Sequence, residues 1–285
     1  MYPKLMPRDI QVILSLYECR YLTGSQLQRL HFPSNIVMYR RMQSIVEQGF
    51  IKSFTAPHIA ERIFYLDKKG AEIVAIEQHI SMEELEWHAH QRVPKDYYYL
   101  RHFLAINDFR ITLQLACQRT HSTLQLAGFI PEYIGEKNDA GFVKKYLRDK
   151  VQDYSHTPDA VFCLEKDQKA ALFFLEIDRG GEVLTDETKG FLKCIVFYLN
   201  YWQGTQWKRY ERDFNREFRT FRMLTVTPSQ ERLQHMREAV SSYPLQSQAK
   251  LFLWGTIQDN ISVDWIFERI WQTMDITDTN LHQIG

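Results

Sequence analysis

The sequence predicts an α/β (α+β) chain in two parts: a helical N-terminal unit closed by a hairpin, then a longer unit built on a mixed sheet. Three observations carry that expectation. Apolar residues recur at helical spacing through most of the first 49 positions. Two strand-like runs, Phe50-Ile51 and Ile63 to Leu66, then flank a polar, Pro-containing tip. Beyond residue 97, apolar runs of strand length alternate with amphipathic helices, the pattern of a sheet with helical crossovers. At 285 residues, 45% hydrophobic and 14% aromatic, the chain can build two cores.

The first helix carries Ile10, Ile13, Leu14 and Tyr17 at helical spacing and starts at Pro7 and Asp9, residues suited to a first turn. Thr23-Gly24-Ser25 interrupts it. A short second helix, Ser25 to about His31, presents Leu27 and Leu30 on one face. Pro33-Ser34 caps a third helix, in which Met38, Met42, Ile45 and Val46 share one side and Gly49 ends the run. Three helices followed by a two-stranded wing is the layout of a winged helix-turn-helix domain, expected over residues 1–79. The third helix of such a domain enters the major groove and the wing touches the backbone. Candidate contacts to duplex DNA are Asn35, Tyr39, Arg40, Arg41 and Gln43 on the third helix and Arg62 on the wing, residue types that read base edges or hold phosphates. The other reading of the same elements is a protein-interaction or dimerisation module with Arg40-Arg41 as a solvated face.

Composition narrows the function classes. Thirty-five basic and thirty-five acidic residues cancel, which excludes a non-specific nucleic-acid coat and confines any DNA contact to local patches. Residues 1–72 form such a patch, with ten basic and six acidic residues, a net +4. No apolar run approaches the roughly 18 residues that cross a bilayer, and charges interrupt the start MYPKLMPRDIQVIL, so the expected location is the cytoplasm, away from membranes. Cys19, Cys117, Cys163 and Cys194 are scattered within apolar patterns and read as reduced core residues.

Residues 80–96 read as a linker, broken at Pro94. His88 and His90 stand two apart with no third ligand nearby, which does not make a metal site. The second domain is expected over 97–285. It opens with a long amphipathic helix from Tyr97, in which His102 reads as a packed histidine, and continues with the strand STLQLAGFIPEYIGE. A polar stretch follows with Lys144, Lys145, Arg148 and Lys150 close together, either a solvated surface or a phosphate-facing loop. The window WKRYERDFNREFRTFR interleaves arginines with aromatics at positions 210, 214 and 218, the spacing of an amphipathic helix packed on a sheet. Strands at FRMLTVT and AKLFLWGT, a helix opened by Pro228-Ser229 and a terminal helix VDWIFERIWQTM complete the expected order.

The chemistry centres on HTPDAVFCLEKDQKAALFFLEIDRGGE, His156 to Glu182. PDAVFCL and AALFFLEI read as buried strands joined by the polar turn EKDQKA. In an antiparallel hairpin the start of one strand lies beside the end of the next, so Asp159 and Glu176 converge. Two carboxylates, with a substrate phosphate and water, are a common cradle for Mg²⁺ or Mn²⁺ in phosphoryl transfer. Glu176 and Asp178, two apart, share a face. The competing reading has Asp159 and Asp178 capping strand ends or pairing with Arg179 and Lys189.

Pro158-Asp159 and Glu176-Ile177-Asp178, on a three-strand meander between two helices, resemble the motif positions of PD-(D/E)XK nucleases. The chain as a whole resembles the replication-relaxation family of plasmids and mobile elements, largely of Gram-positive bacteria. The matching features are the winged-helix start, LRHFLAINDFR at Leu100–Arg110, PDAVF, LEIDRG, Lys189, Tyr198 and MLTVT at Met223–Thr227. The resemblance implies a bacterial duplex-DNA-binding protein acting in replication, relaxation or mobilisation. It further implies relaxosome or replication proteins as partners, a homodimer, and a nuclease-like second domain. A site of Asp159, Glu176, Asp178 and Lys189 would make that domain a metal-dependent endonuclease. Asp178 departs from the pattern, standing where an active nuclease carries lysine, and Lys189 or Arg179 is the candidate replacement.

Overall fold

Asp9 sits in the first turn of α1 (Pro7–Cys19), where its Oδ2 accepts the Met6 amide at 2.7 Å, and its own side chain is buried. The protein, described here from a computed structural model, divides by contact into two compact units, Met1–Ile111 and Thr112–Gly285. The structure describes all residues except 1–4, 86, 88–96, 120–123, 139–140, 147, 187–188 and 243–251, and the side chains of 97–98 and 133–147 are also outside the description. His88, His90, Lys144 and Lys145 fall outside these limits.

In the first unit, β1 (Tyr21–Thr23), α2 (Gly24–His31) and α3 (Asn35–Glu47) precede a hairpin of β2 (Ile51–Ala56) and β3 (Ile59–Leu66). Thr23 and Gln26 cap α2 reciprocally, and the Ser34 hydroxyl accepts the Val37 amide at the start of α3. Gly49 ends α3 at φ +77°, the left-handed conformation that favours glycine. The three strands lie in the order β1-β3-β2, all antiparallel. Val12, Ile13, Leu16, Leu27, Met38, Met42 and Ile45 fill the core. The inner face of α1 is thus turned from the expected one: Val12 and Leu16 are buried where Leu14 and Tyr17 were expected, because Asp9 points inward. α4 (Lys68–Glu77) follows, capped by Asp67.

The long helix α5 (Tyr97–Arg119) contains the division by contact between the units, at 111/112; most of the expected linker at 80–96 lies outside the described residues. Its first half is fixed to the N-terminal unit by backbone recognition. The Asn107 amide donates to the carbonyls of Cys19 and Tyr21 at 3.0 and 2.9 Å, and Gln26 Nε2 donates to the Leu104 carbonyl at 2.9 Å.

The second unit is built on a seven-stranded mixed sheet. Its strands are β4 (Gln125–Pro131), β9 (Ala160–Lys166), β10 (Lys169–Ile177), β11 (Phe221–Thr227), β12 (Leu253–Ile257), β13 (Trp271–Thr273) and β14 (Leu281–His282). They lie in that spatial order; β10, β11 and β12 are parallel, and the remaining neighbours antiparallel. The crossovers run through α6 (Phe191–Gln203) with α7 (Arg209–Phe214), and through α8 (Gln230–Ser241). Alternation on β9 and β10 sends Phe162 and Phe173 to one face, stacked at 4.9 Å, and Val161, Cys163, Leu172 and Phe174 to the other, where they pack with residues of α6 and α8.

Three expectations are corrected here. The polar stretch before the acidic motif forms two hairpins, β5 (Tyr133–Asn138) with β6 (Gly141–Tyr146) and β7 (Asp149–Val151) with β8 (Tyr154–His156). The aromatic-basic window is helical only to Phe214, and Phe221 begins β11. The terminal helix is replaced by turns leading into β13: the apolar spacing there is used by sheet pairing, with Trp271 buried, and the Arg237 guanidinium of α8 holds the segment by donating to the carbonyls of Thr273, Asp275 and Asp278.

Asp149 anchors the β7–β8 hairpin. Buried at 1% exposure, it accepts the hydroxyls of Tyr201 and Tyr210, each at 2.8 Å, and pairs with Arg209 Nε at 3.0 Å. That bond set holds the hairpin, and with it His156 at its end, against α6 and α7.

His31 supplies a test of the N-terminal unit. Its Nε2 lies 2.9 Å from Ser15 Oγ, and burial, aided by Arg8, pushes its pKa from 6.5 down to about 4. The unfolded chain therefore takes up the proton first as pH falls. The contribution to stability is complete above about 6.5 and is lost between 6.5 and 4. Thermal melts should fall across that window in the wild-type protein and flatten in His31→Gln; the same fall in both would contradict the assignment.

Candidate functional site

β9 and β10 bring the acidic motif to one end of the sheet. The Asp159 amide donates to the Leu175 carbonyl at 3.1 Å, and Asp159 Oδ2 accepts the Ile177 amide at 2.6 Å, so this carboxylate closes the strand end. Glu176 projects toward α6. Its Oε1 accepts the Tyr198 hydroxyl at 2.6 Å and lies 2.7 Å from His156 Nε2. Cys194, one turn before Tyr198 on α6, places Sγ 3.6 Å from the same imidazole nitrogen. His156 also rests against the rings of Phe197 and Tyr198, each centroid 5.3 Å away.

Burial dominates the electrostatics. It raises the Glu176 pKa more than His156 lowers it. For His156, burial is the largest single influence and acts downward, but the carboxylates of Glu176, Asp159 and Asp149 together outweigh it and the net shift is upward. Both shifts run upward, so each group holds a proton more tightly than it would in water. Burial, with the surrounding carboxylates, pushes the Cys194 thiol and Tyr198 phenol well up. A pocket of about 410 Å³ opens beside this cluster, lined by His156 and Cys194 together with Arg148, Thr157, Glu182 and Lys193. Glu182, at its edge, is pushed up to about 7 by partial burial and the charges of Glu176 and Asp178.

The other sequence candidates lie elsewhere. Asp178 shares the Glu176 face but is taken by α8: Arg232 Nε and its terminal nitrogen donate to the two oxygens at 2.9 and 3.1 Å, and the Thr227 hydroxyl donates at 3.0 Å. The pair is buried, at 3% and 16% exposure. Lys189 precedes α6, is 71% exposed and faces Asp186 at 3.7 Å. The lysine that lines the pocket is Lys193. Arg179 is half-buried in the turn after Asp178.

Mg²⁺ and Mn²⁺ prefer several oxygen ligands. The metal-capable donors that converge among the described residues are one nitrogen, one carboxylate oxygen and one sulfur, from His156, Glu176 and Cys194. That set does not fit a hard cation. Cys194 is the free, buried core cysteine that the sequence predicts; what sequence reasoning missed is that its thiol faces His156 and Glu176. The available signal was a thiol and a phenol one turn apart on an otherwise apolar helix face, with His156 three residues before the Asp159 motif.

On the first unit, α3 and β3 form a groove of about 510 Å³ lined by Tyr39, Arg40, Gln43, Val46, Glu47, Arg62 and Phe64. Arg40, Gln43 and Arg62 are exposed; Gln43 Nε2 donates to Glu47 Oε1 at 3.0 Å. Ile36 is 73% exposed beside them, and Asn35 is exposed at the helix start. Arg41 turns the other way and makes a two-point ion pair with buried Asp9, its Nε donating at 2.7 Å.

The profile of the replication-relaxation family matches residues 13–216, well over half of the chain and both units described above. The chain belongs to the replication-relaxation family. Among solved structures, this family member is similar to a cysteine mutant of MarR from E. coli complexed with operator DNA, at 15% identity and a TM-score of 0.26, over 35% of this chain and 73% of that one. No curated protein matches it. Among the described residues of this replication-relaxation protein, no helix is long and apolar enough to cross a membrane.

The Asp178–Arg232 pair makes a direct prediction. Asp178→Lys, which writes the nuclease lysine back into the motif, buries a second cation beside Arg232 and should cost about 3–5 kcal/mol in urea denaturation. A neutral or stabilising change would show that the pair does not hold β10 to α8.

Proposed function

We propose that this replication-relaxation protein binds duplex DNA through its N-terminal unit, a winged helix in which α3 reads the major groove and the β2–β3 hairpin contacts the backbone. The observation that carries the reading is the α3–β3 groove, where Tyr39, Arg40, Gln43 and Arg62 stand together and exposed on a helix and a wing. Arg40 and Gln43 are suited to guanine and adenine edges, and exposed Ile36 to a thymine methyl. Arg62 is suited to phosphate. Arg41 supports the domain through Asp9 and is not assigned a DNA contact.

The second unit supports a nuclease-like reading by its order: α5, the meander β4, β9 and β10, then α6 and β11, with Asp159 and Glu176 at motif positions. We propose that it serves replication, relaxation or mobilisation of a plasmid or mobile element without Mg²⁺- or Mn²⁺-dependent cutting. Asp178 is occupied by Arg232, Lys189 faces Asp186, and the metal-capable groups that converge with Glu176 among the described residues are an imidazole nitrogen and a thiol sulfur.

Binding to a labelled duplex pool, followed by anisotropy, should weaken as log affinity falls with log salt, by about 0.9 per phosphate contact. Arg40→Ala and Arg62→Ala should weaken it further, whereas Arg41→Ala should mainly lower the melting temperature. Unchanged affinity in both Arg40→Ala and Arg62→Ala would remove α3 and the wing as the DNA surface.

Supercoiled plasmid incubated with the protein and Mn²⁺ should remain supercoiled. Nicking by the wild-type protein that disappears in Asp159→Ala would replace the non-cutting reading with an endonuclease.

A further inference from the structure

The donors around Glu176 have a coordination chemistry of their own. His156 Nε2, Glu176 Oε1 and Cys194 Sγ all lie within 4.8 Å of one another, supplied by three separate elements: β8, β10 and α6. Ligand atoms 2.0–2.3 Å from a tetrahedral centre stand about 3.3–3.8 Å apart. The Cys194–His156 separation, 3.6 Å, already falls in that range. The His156–Glu176 separation, 2.7 Å, is that of a hydrogen bond, whose proton occupies the position a metal would take. An opening of about 0.7 Å between these two side chains would bring their separation into the same range.

Imidazole, carboxylate and thiolate together select borderline metals such as Zn²⁺ over Mg²⁺ or Ca²⁺. Three protein ligands also leave a fourth position, and His156 and Cys194 both line the 410 Å³ pocket. The surroundings suit such a site. The Tyr198 hydroxyl already orients Glu176 Oε1, and Phe197 and Tyr198 hold the His156 ring. Arg148 and Lys193 line the same pocket, so an oxyanion in the fourth position would meet positive charge.

We propose that His156, Glu176 and Cys194 form a three-ligand binding site for a transition metal of the Zn²⁺ class, open on its fourth side to the pocket of Arg148 and Lys193. On binding, the proton held between His156 and Glu176 and the proton of the Cys194 thiol both leave to water as the three metal bonds form. The site is independent of the DNA-binding reading and requires no cutting of DNA.

The test uses Co²⁺ as a coloured stand-in, titrated into the full chain after chelator treatment. The wild-type protein should bind one equivalent, with thiolate-to-cobalt charge-transfer absorption and the intense visible bands of four-coordinate cobalt. Zn²⁺ should displace it, and millimolar Mg²⁺ should not. Cys194→Ser should lose the charge-transfer absorption, and His156→Gln should bind at least about tenfold more weakly. Cys117→Ser, on α5, should leave spectrum and affinity unchanged. Far-ultraviolet circular dichroism checks each variant; if His156→Gln does not fold, the wild-type spectrum and the isosteric Cys194→Ser decide. Absence of the thiolate band in the wild-type protein, its survival in Cys194→Ser, or displacement of Co²⁺ by Mg²⁺ would each overturn the proposal. None of these readouts involves DNA, so a failure here leaves the DNA-binding test standing.

Discussion

A carboxylate taken out of water must be met by hydrogen-bond donors or by opposite charge, and that requirement decides which elements of this chain meet. Asp9 draws Arg41 of α3 to the start of α1. Asp149 draws two phenols and a guanidinium from α6 and α7 onto a two-stranded hairpin too small to be stable alone. Asp178 draws Arg232 of α8 to the end of β10. In each case a short-range sequence pattern forms the elements and one buried acid fixes how they join. Removing either partner would strand the other, which is why these pairs constrain the fold more than the net worth of an ion pair suggests.

Glu176 is the exception among these acids, because its partners are neutral or titratable: a phenol and an imidazole, with a thiol behind them. A guanidinium would lock the carboxylate permanently. An imidazole and a thiol can each lose a proton, so the same cluster has two chemically distinct arrangements, one held by protons and one by a metal. The difference between Glu176, in β10, and Asp178, just past its end, is therefore set by which helix each meets. Glu176 faces α6, which offers Cys194 and Tyr198, and Asp178 faces α8, which offers Arg232.

The sequence made the local elements legible where one periodicity dominated. α1, α2, α3 and the wing strands follow from apolar spacing and cap residues, as do β9, β10 and α8. It misled where a pattern admits two periods: Ile266, Ile270 and Met274 recur every fourth residue, yet Trp271 pairs into a strand and Arg237, remote in sequence, satisfies the carbonyls. The register that sets Ala160 opposite Leu175 was legible from hairpin geometry, since strand register is local. The partners of Asp178 and Glu176 were not. Arg232 is 54 residues from Asp178, and His156 and Cys194 come from elements whose meeting depends on Asp149, itself hidden in a stretch that reads as polar surface.

Arg40 and Arg41 put the same lesson on α3. Adjacent residues on a helix point about 100° apart, so when Met38, Met42 and Ile45 turn one face of α3 into the core, Arg41 falls within reach of Asp9 and Arg40 falls toward β3 and the groove. With equal numbers of basic and acidic residues in the whole chain, affinity for a polyanion has to come from a few correctly turned side chains. Arg41 spends its charge on Asp9. The exposed set is then Arg40 and Arg62, with Gln43 and Tyr39 between them. In the DNA-binding reading proposed above, two cations flanking neutral polar side chains favour sequence readout over bulk electrostatic adhesion.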